Sequence, residues 1–179
     1  MNAQRLPVVL FSLLIVACGP DDSEFARAFV IESEDQVIGG PKALAQPGDY
    51  LLENDQIRVA ILGVRNSLGP GLYGGSIIDV DRRWPDPRTN KGHGHDQFAE
   101  LFSTGNMNIT MPIEAADVSV VADGSDGGAA IIRAKGEAEP FLTMLNALWV
   151  LVSQPEFYLS TDYIAEPGVP WLTIRTTAA

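Results

Sequence analysis

The sequence predicts an all-β fold, an antiparallel β-sandwich with one short helix, and three observations carry that prediction. Gln56 to Leu62 alternates, with Ile57, Val59 and Ile61 on one face and Arg58 and Ala60 on the other, the period-two pattern of a half-buried strand. Two extended stretches, Met107 to Ala122 and Ala129 to Lys135, flank Asp123-Gly124-Ser125-Asp126-Gly127-Gly128. Those turn residues tolerate positive φ and make the pair a hairpin. Phe157 to Ile164 and Trp171 to Thr177 repeat the arrangement around Glu166-Pro167-Gly168-Val169-Pro170. With 46% hydrophobic residues in a chain of 179, one core of ordinary size is within reach.

The chain opens on a segment outside that fold. Met1 to Pro7 carries Arg5, and Val8 to Val16 is an apolar run too short to cross a bilayer as a permanent helix. Ile15-Val16-Ala17-Cys18 then supplies a small-residue cleavage box ending in the single cysteine. This resembles a bacterial lipoprotein signal. The resemblance implies cleavage before Cys18, lipid on its sulfur and an acylated amino terminus. The membrane would then be a partner through that lipid, and the location the bacterial cell envelope, at its outer membrane. An ordinary secretory signal with an incidental cysteine is the alternative. Residues 1–17 are thus expected to be a signal peptide and 18–24 an acidic tether, with the sandwich over 25–179.

Along the domain, Pro41, Pro47 and Gly48 bracket a turn region before Asp49-Tyr50-Leu51-Leu52-Glu53, and Asn54-Asp55 reverses the chain into the strand at Gln56. Ser67 to Gly75 is a glycine-rich loop, and Ser76 to Asp81 a further strand. Arg82 to His95 is long and polar, as functional or mobile loops are. Gln97 to Phe102 is expected to pin its far end into the core. Phe141, Leu142, Leu145, Leu148, Trp149 and Val152 fall at helical spacing, which predicts the helix over Phe141 to Val152. The chain reaches Ala179 directly after a strand-like run, and the domain is expected to be incomplete at that end.

The formal net charge is −11, and loss of residues 1–17 removes one cation and no acid, leaving −12. Such a surface repels phosphate backbones and anionic headgroups, which argues against nucleic acid as a partner. Once Cys18 is modified no thiol remains for a disulfide or a cysteine zinc site. The oligomeric state cannot be read from the chain.

Candidate chemistry concentrates in the loops. Gly92-His93-Gly94-His95-Asp96 holds both histidines, and two imidazoles with a carboxylate can ligate zinc or a similar ion. No third ligand stands at a recognised spacing, so the preferred reading is a solvated loop with Asp96 as a cap. His93, His95 and Asp96 stay the metal candidates, with Asp79 or Asp81 as the further ligand. Asp123, Ser125 and Asp126 lack the distal glutamate of a calcium loop and read as the hairpin turn. Gly69-Pro70-Gly71 with Gly74-Gly75 suggests a phosphate cradle, yet no Lys-Ser/Thr follows and a strand comes next. Tyr73, Trp84 and Tyr50 lie in or beside the Gly/Pro loops, where they can stack on sugar rings or pack in the core. No residue is a candidate for catalysis, and no motif calls for a cofactor.

Taken together, Tyr73-Gly74-Gly75-Ser76-Ile77-Ile78-Asp79, then Asp96 to Phe102, then Asp162-Tyr163-Ile164 leading to Trp171-Leu172-Thr173-Ile174-Arg175-Thr176-Thr177 resemble the opening half of a galactose-mutarotase-like β-supersandwich. Gly48 to Asp55 with Asp123 to Gly128 is similar to the amino-terminal region of large bacterial surface lipoproteins that continue into a metallohydrolase of the polymerase-and-histidinol-phosphatase type. Two functions follow from these resemblances. One is an envelope-anchored binding or scaffold module that recognises carbohydrate; the other is the first part of a carbohydrate-active enzyme or metallohydrolase whose catalytic residues lie beyond Ala179.

Overall fold

A computed structural model describes residues 24–69, 71–85, 100–105, 107–140 and 156–179. They form nine antiparallel strands in two sheets. The first sheet is a meander of β1 (Ala26–Val30), β2 (Tyr50–Asn54), β3 (Ile57–Ile61) and β4 (Ile77–Arg82). The second has β5 (Asn108–Met111), β7 (Ala130–Pro140), β8 (Tyr158–Ala165) and β9 (Thr173–Ala178) in spatial order. Strand β6 (Val118–Ala122) pairs with β7 as well.

The all-β antiparallel sandwich read from the sequence is therefore the observed fold. Its core lies between the sheets. Ala26, Ala28, Leu52, Val59, Ile61 and Ile77 from the first meet Val118, Ala130, Ile132, Ala134, Tyr163 and Ala165 from the second. Alternate residues of each strand supply this layer, as the pleat requires.

Strand β3 departs from its predicted half-burial, because Arg58 and Ala60 on its other face are buried too. Residues 31–45 fold across the outside of the first sheet and cover it with Ile31, Val37, Ile38 and Leu44 against Leu51, Ala60, Leu62 and Ile78. A charged row crosses this covered face. In register, Arg27 of β1 stands beside Glu53 of β2, Arg58 of β3 and Asp81 of β4. The Glu53 carboxylate is fully buried. It accepts from Arg27, from Arg58 Nε at 2.8 Å and from Arg83 at 3.0 Å, so burial of the charge is matched by three charge-assisted hydrogen bonds.

The stretch from Met107 to Ala122 is not one strand. Pro112 cannot donate to a ladder, and the chain turns there through a short 3-10 segment, Ala115–Asp117. Strands β5 and β6 consequently lie end to end along one edge of β7, opposite Pro140 to Glu137 and Ala134 to Ile131 respectively. The hairpin between β6 and β7 is as expected. Its turn uses the Asp123 carboxylate to accept the Ser125 N–H and Asp126 to accept that of Gly128, both at 2.9 Å.

The two sheets are tied at one end by Asn54. Its amide donates to the carbonyls of Glu166 and Val169, both at 2.7 Å, and its oxygen accepts the N–H groups of Gln56 and Ile57, both at 2.8 Å. This buried residue joins the β2–β3 reversal to the β8–β9 turn with every polar atom used. The helix expected over Phe141 to Val152 lies outside the described residues, as do Cys18 and the segments assigned to signal peptide and most of the tether.

Candidate ligand cleft

Ahead of β4, one carboxylate holds Gly71 and Ser76. Glu100 Oε2 accepts the Gly71 N–H at 2.7 Å, and Glu100 Oε1 accepts the Ser76 hydroxyl at 2.6 Å. A side chain at Gly71 would come within 2.7 Å of Glu100 Oε1. A side chain at Gly69 would also run into this carboxylate. The glycine pattern that suggests a phosphate cradle thus belongs to an anion cradle occupied by the protein's own carboxylate.

The loop is closed by backbone bonds from Gly75 to Leu62 and from Leu62 to Ser76, both 2.8 Å. Gly75 adopts φ +81, and its Cα sits so close to Ala134 that a Cβ would approach that methyl to 2.6 Å, which restricts the position to glycine. The expected pinning of Gln97 to Phe102 takes the form of a backbone bridge. Leu101 and Ile77 exchange bonds at 2.8 and 2.9 Å, while the Leu101 side chain stays 45% exposed.

Between this loop and the inner face of the second sheet lies a shallow cleft with about 10 Å³ of enclosed space, room for about one water molecule. Tyr73 and Phe102 supply aromatic surface, and Ser103, Thr110 and Thr161 supply hydroxyls. Two further lining hydroxyls are already engaged, Ser76 with Glu100 and Tyr163 with the Gly75 carbonyl at 2.6 Å. Thr161 Oγ1 lies 3.0 Å from Thr176 Oγ1, which extends the polar row onto β9. Burial, and next to it the negative charge of Glu139, push the Tyr73 phenol above its ordinary pKa. Burial likewise raises Tyr163. Both therefore stay protonated donors throughout the neutral range.

None of the described lining residues is an acid, a histidine, a lysine or a cysteine. An aromatic ring beside hydroxyls is a surface on which a polar ring-shaped ligand can rest.

Of the residues singled out in the sequence, Tyr73 lines the cleft and Trp84 does not. Tyr73 precedes the start of β4 at Ile77, and Trp84 follows its end at Arg82, where the Arg82 guanidinium sits 5.7 Å from the indole ring. The two therefore flank opposite ends of that strand. Tyr50 is spent between the sheets, donating to the Val118 carbonyl at 2.5 Å. His93, His95 and Asp96 lie outside the described residues, and among the described residues no three His, Cys, Asp or Glu side chains converge as metal ligands. Asp79 is buried and Asp81 half-buried on the outer face of the first sheet.

Phe102, Ser103, Thr110, Thr161 and Tyr163 escape sequence reasoning. They come from three separate segments of the chain, which the pairing of β5 and β8 with β7 and the Leu101–Ile77 bridge bring together. No family model, curated protein or solved structure matches this chain.

Proposed function

We propose that this chain is a non-catalytic binding module, held at a bacterial cell envelope by lipid on Cys18, and that the cleft is a subsite for a neutral carbohydrate. The observation that carries the reading is the placement of the Tyr73 ring beside the hydroxyls of Ser103, Thr110 and Thr161 on a rigid β scaffold. A sugar offers a C–H face for the ring and a hydroxyl for Ser103, the least buried of the three, and needs no charge from the protein. The enclosed space of the cleft, about 10 Å³, is far below the roughly 300–1,000 Å³ of pockets that engulf a ligand, so the proposed contact is one face of a single ring of a longer glycan lying across the surface. Anchoring draws on the signal-like segment, since lipid on sulfur and on the amino terminus supplies the two hydrophobic attachments that stable membrane association needs.

Titration of the protein with neutral oligosaccharides, followed by calorimetry or by a glycan array, tests the cleft. Tyr73→Ala is expected to weaken binding at least tenfold and Trp84→Ala to leave it unchanged. Absence of binding to every neutral sugar, or binding indifferent to Tyr73→Ala, rejects the carbohydrate reading. Fractionation tests the anchor: Cys18→Ala is expected to leave the chain unprocessed or soluble in the periplasm. Recovery of that variant in the membrane at its processed size rejects lipidation.

A further inference from the structure

Strand β9 pairs along one edge with β8, and among the described residues no strand pairs with its other edge. Tyr158 and Ala179 exchange both backbone hydrogen bonds, at 2.9 and 3.0 Å. Antiparallel alternation then turns the N–H and C=O groups of Thr173, Arg175 and Thr177 toward β8 and those of Ile174, Thr176 and Ala178 away from it. Among the described residues nothing pairs with this second edge, and all six residues of the strand are exposed. Folds usually blunt such an edge with lysine, proline, a bulge or brevity. Strand β9 has no lysine, proline or glycine, and its register with β8 is unbroken. Its one charge, Arg175, stands opposite Asp162.

We infer that β9 is a self-association edge, pairing antiparallel with β9 of a second copy of this chain about a two-fold axis at Thr176. The strand is self-complementary in that register. Thr176 faces its own counterpart, Ile174 faces Ala178 of the second copy, and Arg175 faces Thr177 of the second copy, so no like charges meet. About six backbone bonds close the pair, and a closed two-fold contact of this kind is the commonest form of homo-oligomer.

Charge favours a second copy at this edge over the rest of the surface. The chain as a whole carries −11, which opposes self-contact, yet Val169 to Ala179 contains one arginine and no acid. The same segment brings Trp171, 63% exposed, and Ile174 to the surface. Edge pairing buries less area than a standard interface, and the association is accordingly weak and concentration-dependent.

Oxidative cross-linking of the full chain reads both the contact and its register. In a Cys18→Ser background no other thiol is present. Thr176→Cys is expected to form a disulfide-linked dimer, since the two Cα atoms would lie about 5.5 Å apart. Thr177→Cys is expected to stay monomeric, because each copy of residue 177 faces residue 175 and the two thiols lie beyond about 7 Å. A mixture of Ile174→Cys and Ala178→Cys chains is expected to cross-link as a heterodimer, which keeps the question decidable if Thr176→Cys folds poorly. Monomer from both Thr176→Cys and the mixture, or equal cross-linking at 176 and 177, overturns the proposal.

Discussion

The Tyr163 hydroxyl donates to the carbonyl oxygen of Gly75 across the sandwich at 2.6 Å, and a second phenol answers it in the opposite direction. Tyr50, on the first sheet, donates to the Val118 carbonyl of the second at 2.5 Å. Both acceptors sit on buried residues, where an unpaired carbonyl is costly. Tyr163→Phe is therefore expected to destabilise the fold by about 1–3 kcal/mol and Tyr50→Phe by about 0.5–1.5 kcal/mol. Denaturant midpoints measured at constant m-value check both figures.

The same residue sets an alkaline limit. Burial raises the Tyr163 pKa in the folded state, so the folded protein holds a proton that the unfolded chain releases near pH 10. The contribution is fully present below that value and is lost as pH rises toward the folded pKa. Stability is expected to fall above about pH 10, and the fall to be shallower in Tyr163→Phe. An equal slope in both proteins would remove Tyr163 as its source.

Glu53 and Arg27 should respond very differently to truncation. Glu53 is fully buried and holds Arg58, itself 4% exposed, so Glu53→Ala strands a buried guanidinium and is expected to cost about 3–5 kcal/mol. The Arg27 side chain is 53% exposed, and its removal leaves Glu53 with two partners. Arg27→Ala is expected to cost no more than about 1 kcal/mol. Comparable losses in chemical denaturation would show that the row acts as one unit instead of through its buried member.

Acid sensitivity is expected at Asp117. Backbone N–H groups of Glu114 and then Ile113, with Lys135 3.8 Å away, hold its carboxyl below the ordinary aspartate value. Stability from this group is present above about pH 3.9 and is lost as pH falls through the lower folded value. Asp117→Asn is expected to be less stable than the native chain at neutral pH and to converge with it in acid. A gap that persists unchanged to pH 2 would place its cause elsewhere.

The architecture was legible where side-chain period and turn chemistry agreed. Ile57, Val59 and Ile61 announce β3, and Asp123 to Gly128 announces the β6–β7 hairpin, because both patterns are local. Strand β1 was not foreseen: Ala-Arg-Ala-Phe-Val has few branched residues, since its alanines face the closely approaching hairpin, with Ala28 N–H bonding the Asp123 carbonyl at 3.1 Å. The break at Pro112 is marked in the sequence only by a proline inside an alternating run, a local signal that the surrounding alternation masks. For the cleft, Tyr73 was readable as an aromatic in a glycine loop. Its partners were not, because Thr161 and Phe102 become neighbours only through strand pairing between distant segments.

Gly71 and Glu100 offer the sharpest test of how that cleft is built. A methyl at Gly71 would force the Glu100 carboxylate from its place, and with it the bonds to the Gly71 N–H and the Ser76 hydroxyl. Glu100→Ala forfeits the same two bonds by removing their acceptor. Each single change is expected to cost about 1–3 kcal/mol, the penalty for leaving buried donors unpaired. Once the carboxylate is gone, the close neighbour left to the methyl is the edge of the Phe102 ring at 3.0 Å, which needs to give by only a few tenths of an ångström, and the second substitution removes little that the first has left. The double variant Gly71→Ala, Glu100→Ala is therefore expected to be more stable than the sum predicts, by a coupling of about 0.5–3 kcal/mol. Losses that add to within about 0.5 kcal/mol would mean that the glycines are not shaped around the carboxylate, and that the loop lining the cleft takes its form from the backbone bonds to Leu62 alone.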